Sequence, residues 1–149
     1  MQKLRFAGLL TLVVVCSYGQ DSTKLINRWK LTKYDLLDNV KSSQAYLMAD
    51  DESVKKFDEQ IKLILDSVYY DFRADKVLIY VDIKNNKPTT RIAKWSLNKD
   101  EISIIDESNK IYSRQAKVIK LTDNEFIISP IIDGNVGDSK MVFKAQKNL

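Results

Sequence analysis

The chain has 149 residues, of which 44% are hydrophobic and 30% charged, the composition of one globular domain rather than of a disordered segment. It carries a net charge of +4, one cysteine and no histidine. The missing histidine removes Ser-His-Asp and Cys-His catalysis and the usual imidazole ligands of zinc, copper and non-haem iron; the small, scattered charge gives no electrostatic case for nucleic acid as a partner.

Met1 to Gly19 read as an export signal: Lys3 and Arg5 open it, Phe6 to Val15 form an apolar run, and Ser17 and Gly19 supply small residues for cleavage after Gly19. The apolar run is about half of the roughly 20 residues a membrane-spanning helix needs, so no transmembrane span is expected. Val13-Val14-Val15-Cys16 offers an alternative: a lipoprotein box, with Cys16 acylated as the new N-terminus. Bulky Val15 before the cysteine favours ordinary cleavage. The expected organisation is therefore a signal peptide over 1–19 and one domain over 20–149, periplasmic or secreted. Without Lys3 and Arg5 its charge falls to +2.

The mature segment opens with a strand, Trp29 to Tyr34, and then a polar stretch, Leu36 to Asp51, that reads as a loop. Glu52 to Asp66 reads as a helix, because Val54, Phe57, Ile61 and Ile64 or Leu65 recur at helical spacing. Asp50 or Asp51 can cap its first turn. Strands follow at Tyr69 to Arg73, Lys76 to Ile83, Thr90 to Leu97, Ile102 to Asp106, Arg114 to Leu121, Glu125 to Ile131 and Lys140 to Ala145. Between them stand turns at Ala74-Asp75, Asn85 to Pro88, Asn98 to Asp100, Glu107 to Asn109 and Thr122 to Asn124, and a loop at Gly134 to Asp138. Short turns force antiparallel neighbours. About eight such strands predict a mostly β fold, an antiparallel up-and-down barrel with the 52–66 helix capping one end between strands one and two.

Three segments resemble the exported bacterial lipocalin-like proteins of the calycin group. Leu25 to Leu31, with Trp29, is similar to the family's opening Gly-x-Trp segment. Trp95-Ser96-Leu97 before Asn98 to Glu101 resembles its hairpin with a Trp entering a turn, and Ile119 to Phe126 its Leu-Thr-Asp turn. Asn27 stands where the motif has Gly, and the last strand offers Lys140 and Lys144 but no Arg to cover the opening Trp. The resemblance implies a calycin-type barrel that binds a small apolar molecule.

The candidate ligand-contacting residues are Tyr70, Phe72, Trp95, Phe126 and Phe143 on inward faces, Tyr80 as a polar contact, with Tyr34, Tyr46 and Tyr69 as alternatives to it, and Phe57 and Ile61 on the helix face closing the cavity. The competing reading is that the aromatics simply fill the core, with Trp29 as a plug at the base. Asp100-Glu101 and Asp106-Glu107 read as solvated turn acids, and Asp133 to Asp138 as a wide turn before a calcium loop. No catalytic set, metal site or cofactor is expected: there is no GxGxxG and no Walker loop. Two functions follow, a carrier of a small apolar or amphipathic ligand, or a side-chain-filled barrel that works through its surface on another envelope protein.

Overall fold

Alternation of inward apolar and outward polar residues carries most of this structure, a computed structural model that describes residues 21–146. The segment expected to be an export signal, Cys16 included, lies outside the described residues. Eight strands close a ring: β1 (Arg28–Tyr34), β2 (Tyr69–Phe72), β3 (Val77–Lys84), β4 (Lys87–Asn98), β5 (Glu101–Ile105), β6 (Arg114–Leu121), β7 (Glu125–Ile132) and, after the two-residue strand β8 (Asn135–Val136), β9 (Met141–Ala145). Each pairs antiparallel with the next; β7 pairs with β9, and β9 closes the ring on β1.

Local chemistry sets the turns. Asn85 and Asn86 take φ of +51° and +57°, the left-handed pair that a two-residue hairpin needs and that Asn tolerates. The turn is tighter than the Asn85 to Pro88 expected, and Pro88 pairs with Ile83 inside the hairpin. The hairpin β7–β8 occupies part of the expected loop at 134–138, with Gly134 at φ +78° in its turn.

The stretch read as a loop folds into two short helices, α2 (Asp35–Lys41) and α3 (Gln44–Leu47), after α1 (Ser22–Leu25) at the N-terminus. Neither buries a residue, so the sequence carries no apolar stripe to announce them. Asp35 and Asp38 in the first turn of α2, and the Ser43 side chain accepting from Tyr46 N–H, stabilise them instead. The long helix α4 (Asp51–Ser67) is capped by Asp50, which accepts from Ser53 N–H at 2.9 Å.

β2 has four residues, too few to cover β1 and β3 along their length. Its register ends at Tyr69 opposite Lys30, and β1 continues to Tyr34 without it. α4 straddles this gap. Lys30 Nζ donates to the Asp66 carbonyl, Gln60 donates to Asn86 at 3.4 Å, and Ile64 and Leu65 pack on the core. The helix thus flanks the end of the barrel that holds the Asn85-Asn86 turn, called the mouth below. No helix among the described residues is long and apolar enough to cross a membrane.

The opposite end, the base, is packed solid. Trp29 is fully buried, and its Nε1–H donates to the Leu25 carbonyl of α1 at 2.9 Å. Trp95 Nε1–H donates to the Arg73 carbonyl at 3.1 Å, and Lys76 Nζ lies 4.0 Å over its ring. Phe72 meets both Trp95 and Phe126 nearly edge-on, at centroid distances of 5.4 and 5.8 Å, the arrangement that the ring quadrupole favours. Phe126 also contacts Trp29 and Phe143.

Candidate functional site

The aromatic packing stops part-way up the barrel. Above it lies a partly enclosed cavity of about 180 Å³ that opens to solvent at the mouth, lined by Tyr34, Tyr70, Ile104, Arg114, Gln115, Ala116, Ile128, Pro130 and Met141. A more open groove of about 530 Å³ runs over β5, β6 and β7 from Ser103 to Ile132 and adjoins the cavity, sharing Ile104, Arg114, Gln115 and Pro130 with it. The less open cavity is the better candidate, because a ligand's affinity depends on how much of its surface is removed from water.

Four adjacent strand walls of the mouth, β3 to β6, end in a charge. The inward stripe Leu78, Tyr80 continues to Asp82; Trp95, Ala93 to Arg91; Ile102, Ile104 to Asp106; and Val118, Ala116 to Arg114. Alternation points each charge to the interior side of its strand. They meet as a network: Arg114 Nη2 donates to Asp82 Oδ2 at 3.1 Å, Arg91 Nε lies 3.4 Å from the same oxygen, and Arg91 Nη1 lies 3.8 Å from Asp106 Oδ2. Two cations against two carboxylates leave this network neutral.

Asp106 is nearly fully buried, and its Oδ1 accepts from Ser108 Oγ–H, from Ser108 N–H and from Asn109 N–H. These bonds, that from Ser108 Oγ first, hold its carboxyl below the usual Asp range. They also fold the 106–113 loop over the mouth, where the Tyr112 ring centroid sits 3.3 Å from Arg91 Cζ. Burial raises the Tyr70 and Tyr80 phenols above their ordinary value. The Tyr80 hydroxyl is buried and finds no hydrogen-bond partner. Arg114 stays 41% exposed at the rim, so it faces both the cavity and the solvent.

Of the residues expected to contact ligand, Tyr70 lines the cavity. Phe72, Trp95, Phe126 and Phe143 belong to the aromatic packing below it. Tyr80 is buried edge-on to Tyr70, at a centroid distance of 5.7 Å. Phe57 stacks edge-on with Tyr46 at 5.5 Å, away from the cavity, and Ile61 is buried on α4 without lining it. The cavity walls therefore come from strands and not from the helix face expected to close them.

The sequence does not single out Tyr34 among the tyrosines or mark Arg114 as a site residue, for different reasons. In β1 simple alternation from Trp29 and Leu31 puts Lys33 inside. The register slips between Leu31 and Lys33, a bulge that turns Tyr34 opposite Met141 into the barrel. Arg114 enters the sequence analysis only as the first residue of a strand, and its spacing from Ala116 and Val118 marks it as inward.

An eight-stranded up-and-down barrel with a packed base and a cavity inside its mouth defines the lipocalin-like class of β-barrel. Residues 25–128 match the Lipocalin-like domain family, and the chain belongs to it. The chain is similar to a lipocalin-like protein of solved structure from Bacteroides uniformis ATCC 8492, at 20% identity and a TM-score of 0.48, over 83% of this chain and 99% of that one. It is also similar to an uncharacterized protein from Bacteroides eggerthii DSM 20697, at 16% identity and a TM-score of 0.46, over 81% of this chain and 98% of that one. No curated protein matches the sequence.

Proposed function

We propose that the protein is an exported, non-catalytic binding protein that holds a small amphipathic molecule in the barrel mouth. The observation that carries this reading is the cavity inside the barrel mouth, with a mainly apolar wall and Arg114 at its rim. Protein interiors are otherwise close-packed, and a void of this size forfeits packing energy unless something fills it. At about 180 Å³ the cavity is smaller than the ~300–1,000 Å³ of drug-sized pockets. The ligand is therefore smaller than a sterol or a long acyl chain.

Native mass spectrometry of protein purified from its own host's envelope tests this. A bound mass that is lost on organic extraction supports the carrier; a bare, homogeneous mass from repeated preparations counts against it. The polypeptide mass separates a start at Gln20 from an acylated Cys16.

A second reading has its own support. Ile92, Ile105, Ile111 and Ile132 are all more than half exposed, on the mouth half of the barrel and on the loop above it. Such residues suit a surface that another envelope protein covers. Cross-linking in intact cells that captures one partner through this surface, from protein that carries no small molecule, would favour it.

A further inference from the structure

We infer that the cavity selects a small organic carboxylate, that Arg114 is its anchor, and that Asp82 is an internal competitor for that anchor. The inference rests on the mouth being a ligand site, as proposed above, and adds the charge of the ligand and the residues that decide it.

Three observations carry it. Among the described residues Arg114 is the only charged one lining the cavity, and its neighbours there are mostly apolar or aromatic. Its bond to Asp82 engages Nη2, one of five N–H donors on a guanidinium whose fork suits a carboxylate. Asp82 Oδ2 is in turn shared between Arg114 and Arg91, so a second carboxylate can take part of the Arg114 fork while Arg91 still neutralises Asp82. The chemistry is that of an apolar body with one anionic end. At ~30 Å³ per water the void holds about six waters, which suits a body no larger than one ring or a short chain.

Benzoate, benzamide and benzamidine share one size and shape and differ in charge. Their titration into the 15N-labelled protein expressed from the full chain, followed by amide shifts of Ile104, Ala116 and Ile128, tests the inference. The expected result is that benzoate binds about ten-fold or more tightly than benzamide, the size of effect given by one charge-assisted hydrogen bond, and that benzamidine binds weakest. Arg114→Met should erase the preference, Arg114→Lys should keep part of it, and Asp82→Asn should tighten benzoate binding by leaving Arg114 with fewer acceptors. Retained amide dispersion in each variant shows that it is folded. Equal binding of benzoate and benzamide, or an unchanged preference in Arg114→Met, overturns the anchor while leaving the mouth as a ligand site. No shift with any of the three probes at tens of millimolar overturns both.

Discussion

Trp29 shows how one side chain can set an end of the molecule. It is fully buried, touches Phe126, and gives its only polar hydrogen to the Leu25 carbonyl, so it joins α1 to the barrel base while filling it. Trp29→Ala would leave a large void in rigid surroundings and should lower unfolding free energy by about 3–5 kcal/mol. Trp29→Phe keeps most of the packing but leaves the Leu25 carbonyl unpaired, so about 1 kcal/mol of loss is expected. Urea unfolding of both variants checks the ranking; equal losses would mean that the hydrogen bond, not the packing, dominates. At this scale the sequence was informative about which aromatics face inward and silent about which of them leave space. Tyr70 and Phe72 lie on the same face of one strand, yet one borders the cavity and the other is sealed among Trp95 and Phe126. That difference depends on how strands far apart in sequence tilt across the barrel, which no local period records.

Strand β7 is clamped at its base end on both sides. Glu125 accepts from Lys120 of β6 at 2.7 Å and from Lys144 of β9, and these two bonds, that from Lys120 first, hold its carboxyl at about 2 instead of 4.5. A carboxylate whose folded value is depressed contributes stability that is complete above the unfolded value and is lost as pH falls through the folded one. Stability should therefore drop between pH 5 and 2, and Glu125→Gln should flatten that drop. The two proteins should differ at pH 7 and converge near pH 2 in thermal or urea unfolding; parallel curves would show the clamp to be inert, as many exposed ion pairs are. The same strands explain what was legible among the elements. The β6 prediction, Arg114 to Leu121, matches the observed strand, and α4 extends the predicted 52–66 by one residue at each end, because a clear turn at 122–124 bounds the first and a full apolar stripe marks the second. α2 and α3 lack any such stripe, and the bulges in β1 and β6 shift register without a change in composition.

The whole molecule divides into an end that supplies stability and an end that keeps space. Turns, both Trp side chains and the Glu125 clamp converge on the base. The mouth holds an orphan Tyr80 hydroxyl, four ionised groups and the void. Leaving a cavity open costs packing energy, so a substitution that fills it without strain should stabilise the fold and remove the binding. Ala116 is the place to try it: it is buried, lines the cavity, and stands opposite Ile102 on β5 and Pro130 on β7. Leucine there projects into the void above the aromatic packing. Ala116→Leu should keep or raise the melting temperature and abolish the benzoate-induced amide shifts. Overpacking, in contrast, typically destabilises by about 1–3 kcal/mol, so a lower melting temperature with the shifts intact would mean that the side chain meets protein rather than open space. A raised melting temperature with binding lost would show that the cavity is maintained against the packing preference of the fold.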